Sequence, residues 1–241
     1  MSNSALVSYT KLSPNHSGRR NHKIDTITIH CMAGNLSVES CGALFAKANT
    51  QASSNYGIGS DGRIALYVDE ANRSWATSSR SNDHRAVTIE VANCGGAPDW
   101  PVSAKAYAAL LNLVTDICKR NGIRELKWKG DKRLVGKVEE QNMTVHRWFA
   151  AKACPGNYLY GRHGEIAAEV NRRLGVKPAA FKPYQVRVTI KSLNIRKGPG
   201  TKYGRVQYIK PGVYTIDEET NGWGRLRSGI GWICLDYATK L

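Results

Sequence analysis

The stretch IDTITIH, residues 24–30, decides the fold of the first part of this chain. Its β-branched residues alternate with other residues, a pattern typical of a strand, and this strand ends at His30. Two more strand signals follow it. They are NYGIGSDGRIALYV at 55–68, where Asp61-Gly62 is a hairpin turn, and a short run at 87–91.

Helical patterns lie between and after these strands. Ser37 precedes a helix whose apolar side carries Val38, Cys41, Leu44, Phe45 and Ala48. Ser103 caps a longer pattern that ends at Asn121-Gly122, and a third pattern ends at Gly175, placed as a C-cap. Because strands and helices interleave over 24–175, we predict an α/β (α+β) domain with a mixed central sheet flanked by helices.

The end of the chain has a different pattern. A Pro-containing stretch at 176–183 predicts a linker between a first domain at 1–175 and a second at 184–241. Short β-like runs at 186–190, 205–209, 213–216 and 231–235 follow it, separated by Gly- and Pro-containing turns. They predict a small all-β barrel without a helix.

The composition limits the class of protein. Among 241 residues, 35 Lys and Arg against 19 Asp and Glu give a net charge of +16, yet 41% of the residues are hydrophobic, which excludes a disordered polycation. No run is long and apolar enough for a membrane span, and the polar start predicts no signal peptide. The positive field attracts polyanions in general, so it does not choose among nucleic acid, anionic lipid and wall polymers.

Three residues have the side chains of a zinc site. His30 ends its strand, His146 follows a β-like run at 143–145, and Cys154 comes eight residues later, before Pro155. A proline at the first helical position places the thiol near a helix N-terminus, which we expect to lower its pKa. Each residue taken alone is more often a core or surface residue, but together they match the three protein ligands of a hydrolytic zinc.

The segment VHRWFAAKACPG, residues 145–156, resembles the closing signature of the type 2 N-acetylmuramoyl-L-alanine amidases, a family that includes phage lysins and peptidoglycan recognition proteins. Three earlier segments resemble the same family in the same order: TIHC at 28–31, SSNYGIGSDGRIALYV at 53–68 and AVTIEVAN at 86–93. The ordered set spans residues 24–175. The resemblance implies a zinc enzyme that cuts the amide bond between N-acetylmuramic acid and L-alanine.

The resemblance also implies roles for individual residues. His30, His146 and Cys154 are the expected zinc ligands, and Glu90 the expected general base on the metal-bound water. Lys152 matches a residue that stabilises the developing oxyanion. Tyr56 matches a tyrosine that takes part in catalysis in some members, so the division of labour between Tyr56 and Glu90 is open.

The last part of the chain resembles bacterial SH3-like (SH3b) modules, through SLNIRKGPGTKYGRV at 192–206 and NGWGRLRSGIGWICLDYATKL at 221–241. Such modules bind cell-wall peptides or associated polymers. We therefore expect a phage or prophage endolysin, made in the host cytoplasm and acting on a Gram-positive wall after release. Its expected partners are peptidoglycan and anionic wall polymers, with no nucleic acid, membrane or protein partner.

Four alternatives stay open at this point, and the first is a bacterial autolysin instead of a phage lysin. A cysteine endopeptidase of the NlpC/P60 type would use Cys41 in ESCGALF as its nucleophile, although that residue falls on an apolar helix face. A recognition protein would bind wall fragments without cutting them, and a nucleic-acid binder is suggested only by the charge. The remaining histidines are expected at the surface or behind the site, with His84 in a loop and His163 in a turn.

Overall fold

The computed structural model describes residues 2–176 and 181–241. The chain divides into two compact units, with the boundary between residues 177 and 178. Half of the predicted linker at 176–183, residues 177–180, lies outside the described residues. None of the helices in the described ranges is long and apolar enough to cross a membrane.

A six-stranded mixed sheet forms the centre of the first unit, in the spatial order β1-β5-β4-β7-β3-β8. These strands are β1 (Tyr9–Thr10), β3 (Thr26–Cys31), β4 (Tyr56–Ile58), β5 (Ile64–Leu66), β7 (Ala86–Val91) and β8 (Met143–Thr144). Strands β4, β7, β3 and β8 are parallel to one another, whereas β5 is antiparallel to β4 and parallel to β1. A separate small sheet pairs β2 (His16–Arg19) with β6 (Asn72–Ser74).

Helices cover both faces of this sheet, which confirms the predicted mixed α/β fold. The helices are α1 (Val38–Phe45), α2 (Arg80–Arg85), α3 (Ala104–Asn121) and α4 (Gly156–Leu174). The apolar sides of α3 and α4 share the main core with the central strands. On the other face, α1 packs through Val38 and Cys41 against Ala65 and Tyr67.

The predicted helix ends are confirmed. The Ser37 hydroxyl accepts from the N–H of Ser40, and that of Ser103 from the N–H of Ala106. Gly122 and Gly175 close α3 and α4 in the left-handed conformation, with φ of +70° and +76°, which a glycine adopts without steric cost.

Alternation along β3 and β7 gives these two strands one apolar and one polar side. In β3 and β7 the isoleucines and valines point into the core beneath α3 and α4: Ile27, Ile29, Val87 and Ile89. The residues between them, Thr28, His30, Thr88 and Glu90, therefore point to the opposite face. The side chains needed for chemistry thus lie opposite the main core.

Some local predictions were wrong. Residues 80–85 form the short helix α2, so His84 is helical and only 6% exposed, not in a surface loop. His163 lies inside α4, because the helix begins seven residues before it. The residue is fully buried. Pro155 is the N-cap, not the first helical residue. Leu44 is 45% exposed, so it leaves the apolar side of α1.

The second unit is a seven-stranded sheet in the spatial order β11-β10-β14-β13-β12-β9-β15. Its strands are β9 (Tyr184–Val188), β10 (Leu193–Arg196), β11 (Arg205–Ile209), β12 (Gly212–Thr220), β13 (Trp223–Leu226), β14 (Trp232–Cys234) and β15 (Ala238–Lys240). All its strand pairs are antiparallel, and its own apolar core contains Val188, Ile195 and Ile233. A single 3₁₀ turn, Leu235–Tyr237, departs from the expected helix-free unit.

Candidate metal centre

His30 and Glu90 are neighbours across the parallel strands β3 and β7. Their Cα atoms are register partners, and their side chains lie on the same face of the sheet. His30 Nδ1 is 3.8 Å from a Glu90 carboxylate oxygen. His30 is fully buried, whereas the Glu90 side chain is 15% exposed. The sheet therefore holds an imidazole and a carboxylate side by side near the carboxyl ends of both strands.

A loop after β8 supplies the other two candidate ligands. His146 begins a 3₁₀ turn, His146–Trp148, and Cys154 lies just before α4. Arg147 closes this loop: its N–H donates to the Cys154 carbonyl, and its guanidinium donates to the carbonyls of Ala153 and Cys154. The same guanidinium lies over the ring of Tyr160, 4.6 Å from its centre.

The three predicted ligands converge. One ligand atom from each of His30, His146 and Cys154 lies within 4.8 Å of the others. The Cys154 sulfur is 3.4 Å from His30 Nδ1, and the two imidazole centres are 5.2 Å apart. The main-chain N–H of Cys31 also points at this sulfur, at 3.4 Å.

The donor set at this centre fits a metal ion. The atom of His30 that faces Cys154 and Glu90 is Nδ1. Glu90 Oε2 and the Nε2 atoms of both histidines are buried without a hydrogen-bond partner, which is costly for a polar atom. Two imidazoles and one thiolate are the ligand types that zinc prefers.

Burial sets the protonation of the two imidazoles. It lowers the pKa of His30 to about 3, with His146 as a second cause. Burial also lowers the pKa of His146, helped by the positive charge of Lys152. Both rings are therefore neutral at pH 7, which is the form that binds a metal.

The pKa values of the two acidic groups, Glu90 and Cys154, are raised and not lowered. Burial raises the pKa of Glu90 well above its usual value, with a smaller contribution from Cys31. The expected lowering of the Cys154 pKa does not occur: its hydrogen bond with the Cys31 thiol and its burial both raise it.

The structure brings Glu90 to this centre but not Tyr56. Lys152 is exposed and close enough to His146 to act on its pKa. Tyr56 pairs with Ile89, one position before Glu90 in the register, so its side chain lies on the core face. Its hydroxyl donates to Glu70 at 2.5 Å and accepts from the N–H of Ser4. We therefore correct the expected catalytic role of Tyr56 to a structural one.

Two contributors were missed by sequence reasoning. The Cys31 N–H has no signature, because every non-proline residue carries such a group. Arg147 could have been noticed as the cation next to His146, but its contacts with residues 153 and 154 depend on how the loop folds back.

The cysteine-peptidase alternative is not supported by the structure. Cys41 is 2% exposed, because it lies on the buried side of α1 in the cluster with Ala65 and Tyr67. Burial raises the pKa of its thiol to about 12, whereas a nucleophilic cysteine needs a lowered pKa and access to substrate.

A comparison with protein families assigns most of the first unit to one family. The family model described as N-acetylmuramoyl-L-alanine amidase matches residues 20–157, which is more than half of the chain. A search of curated protein sequences finds no match.

Solved structures with a similar fold align with about two thirds of the chain. The Staphylococcus aureus hydrolase AmiA in complex with its ligand shares 14% identity at a TM-score of 0.52, over 70% of this chain and 85% of that chain. A selenomethionine derivative of AmpD shares 18% identity at a TM-score of 0.50, over 68% of this chain and 96% of that chain. A mutant endolysin from Bacillus subtilis shares 19% identity at a TM-score of 0.49, over 67% of this chain and 97% of that chain.

Proposed function

Because this chain belongs to the N-acetylmuramoyl-L-alanine amidase family, we propose that it is a zinc-dependent peptidoglycan hydrolase that cuts between N-acetylmuramic acid and the L-alanine of the stem peptide. The observation that carries this proposal is the convergence of His30, His146 and Cys154 beside Glu90. The neutral imidazoles and the unpartnered Glu90 Oε2 support it.

His30, His146 and Cys154 hold the zinc ion in this proposal. When bound, zinc lowers the pKa of a coordinated water to about 7 and polarises a carbonyl oxygen. The positive charge of the ion also offsets the raised pKa of the Cys154 thiol, so that the thiolate forms on binding.

Glu90 is the general base in this proposal. Its carboxylate lies beside His30, and one of its oxygens has no partner in the protein. Burial raises its pKa well above the usual value of a glutamic acid, which makes its carboxylate a stronger base. Glu90 can therefore accept a proton at Oε2 and pass it to the leaving amine.

Lys152 stabilises the negative charge that develops on the scissile carbonyl oxygen. It is exposed at the edge of the site and acts on His146, so it can approach a bound substrate. A preorganised cation at that position stabilises the transition state more than the ground state.

The second unit is proposed as an SH3b wall-binding domain, and the whole chain as a phage or prophage endolysin of a Gram-positive host. Its seven-stranded all-β architecture and the motifs at 192–206 and 221–241 support this assignment. Joining a wall-binding domain to an amidase raises the local concentration of the enzyme at its substrate.

The test is hydrolysis of Gram-positive peptidoglycan by the full chain, before and after a chelator and again after zinc is restored. Mass spectrometry then identifies the newly exposed groups. New L-alanine amino termini on intact stem peptides, lost with chelator and restored by zinc, are expected. New termini inside the stem peptide or the cross-bridge, unaffected by chelator, would overturn the proposal.

A further inference from the structure

A stack of three aromatic rings joins three separate parts of the first unit. The indoles of Trp128 and Trp148 are parallel, with 5° between their planes and 5.1 Å between their ring centres. On α4, the His163 ring lies 4.5 Å from Trp128, with 36° between the planes. Aromatic rings attract one another at these distances. We call the side chains of Trp128, Trp148 and His163 the aromatic stack.

One end of the aromatic stack belongs to the turn that carries a metal ligand. His146 and Trp148 are the first and last residues of the same 3₁₀ turn. The His146 carbonyl accepts from the N–H groups of Phe149, at 2.9 Å, and Ala150, at 3.2 Å, which fixes the backbone of the turn. The Trp148 side chain is buried, with the residue only 7% exposed. The packing of Trp148 therefore determines where this turn places the His146 imidazole.

The segment that carries Trp128 is itself held in place. Its main-chain N–H groups at residues 126, 127 and 129 donate to the side-chain oxygens of Asn171, Asn142 and Gln141, at 2.7, 2.7 and 3.0 Å. Asn142 and Gln141 are buried. Trp128 also packs against the main apolar core, and Tyr160 meets its ring edge-on at 5.8 Å. Trp128 is therefore a fixed surface against which Trp148 can be held.

We propose that Trp128 is a positioning residue for the metal centre: it holds the Trp148 ring and thereby keeps the His146 imidazole where it can bind the ion. Zinc requires its ligand atoms at about 2.0 to 2.3 Å in a tetrahedral arrangement, so a displaced imidazole weakens binding even when His146 is unchanged. This inference rests on the metal centre of the proposed function, but none of its tests uses peptidoglycan hydrolysis.

The first test measures the zinc affinity of the full chain by competition with a chromophoric chelator. Trp128→Leu keeps an apolar side chain but removes the ring, and should lower the affinity by about tenfold, as for other residues that orient metal ligands. Trp128→Phe restores a ring beside Trp148 and should recover most of this loss. The matched control is Trp75→Leu, because Trp75 lies elsewhere in the first unit and contacts Ser17. It should leave the affinity unchanged.

A double-mutant cycle tests whether Trp128 acts through Trp148. Residues that act as one unit do not give additive effects. The double variant Trp128→Leu/Trp148→Leu should therefore lose no more zinc affinity than Trp148→Leu alone. Additive losses would overturn the proposed route.

Cobalt substitution provides a spectroscopic test. The d–d absorption of bound Co²⁺ depends on the geometry of its ligands, so it reports a displaced imidazole directly. Trp128→Leu should change this spectrum, whereas Trp75→Leu should give the wild-type spectrum. If Trp128→Leu does not fold, Trp128→Met keeps more of the side-chain volume and should show the same changes.

The possible outcomes separate this inference from the proposed function. A wild-type chain that binds neither zinc nor cobalt would overturn both. Wild-type metal binding with an unchanged affinity and spectrum in Trp128→Leu would overturn only the positioning role. Equal losses in Trp128→Leu and Trp75→Leu would also overturn it, because they would reflect a general loss of stability.

Discussion

The main-chain N–H of Cys31 donates to the thiol of Cys154, with 3.4 Å between nitrogen and sulfur. This contact joins the end of β3 to the loop before α4, which lie 123 positions apart in the chain. An N–H donor stabilises negative charge on the sulfur, so it favours the form of Cys154 that binds a metal. The donor belongs to the backbone and survives any replacement of the Cys31 side chain except proline.

This contact leads to a prediction about zinc content. Cys154→Ser should lose the metal, because a serine hydroxyl is a poor replacement for a thiolate ligand. Cys31→Ser should keep about one zinc per chain, since its N–H is unchanged. Atomic absorption after dialysis measures both. Loss of zinc in Cys31→Ser would show that the Cys31 thiol is itself a ligand.

Glu90→Gln separates proton transfer from metal binding. The amide cannot act as a base, so the rate of peptidoglycan hydrolysis should fall by about 10²- to 10⁴-fold. Zinc content should stay unchanged, because Glu90 is not among the three converging ligands. Glu165→Gln, on the exposed surface of α4, is the matched control. Near-normal turnover of Glu90→Gln with zinc bound would remove Glu90 from the mechanism.

Tyr56→Phe tests the corrected role of that residue. It removes a buried hydroxyl that donates to Glu70 and accepts from Ser4. The free energy of unfolding should fall by about 1 to 3 kcal/mol, because both partners lose a buried hydrogen bond. Turnover under native conditions should stay close to wild type. Urea unfolding and the hydrolysis assay check the two effects, and an inactive but stable variant would contradict the assignment.

Arg147→Lys tests the positioning of the loop that carries His146 and Cys154. Lysine keeps the charge but cannot donate to two carbonyls in the geometry of a guanidinium. Zinc affinity should fall by about 10- to 100-fold, as for other residues that orient metal ligands. The control is Arg162→Lys, because Arg162 also stacks on a tyrosine of α4, at 3.9 Å from Tyr158. Equal zinc affinity in both variants would show that Arg147 does not position the ligands.

His163 makes the stability depend on pH. Burial lowers its pKa to about 4, whereas an unfolded histidine titrates near 6.5. Between these values the unfolded chain binds the extra proton, so stability falls as the pH falls through this window and is flat below it. The contribution over the window is about 3 kcal/mol.

The measurement is urea unfolding of wild type and His163→Gln at several values between pH 7 and pH 4. Glutamine can still donate to the Leu159 carbonyl, which His163 Nδ1 contacts at 2.7 Å. The variant should lose stability less steeply on acidification. Identical slopes would contradict the buried neutral state of His163.

Long periodic elements of the fold could be predicted because local signals agreed with their environment. The 18-residue α3 has an apolar side, a serine cap and a closing glycine, and all three were visible in the sequence. The six-residue α2 and the short strands β2 and β6 were not, because polar segments of this length have no clear periodicity. Their position is set by tertiary contacts such as that between Trp75 Nε1 and the Ser17 hydroxyl.

The residues of the site could also be predicted, but the side of the strand on which each side chain lies could not. The resemblance gave residues at motif positions, and His30, His146, Cys154 and Glu90 do meet. It did not give the face of the strand on which each side chain lies. Tyr56 matched by position, yet it lies on the core face and contacts Glu70.

The pairing of His30 with Glu90 is one rung of a ladder that also joins Ile29 to Ile89 and Cys31 to Val91. Strand side chains alternate with a period of two, so deleting one residue from β3 would exchange His30 for an isoleucine at the reacting face. A substitution in these strands changes the size and polarity of one side chain, whereas a shift of one position moves every following side chain to the opposite face. Homologues and designed variants that keep this activity should therefore vary in β3 and β7 by replacement and show length changes only in the loops.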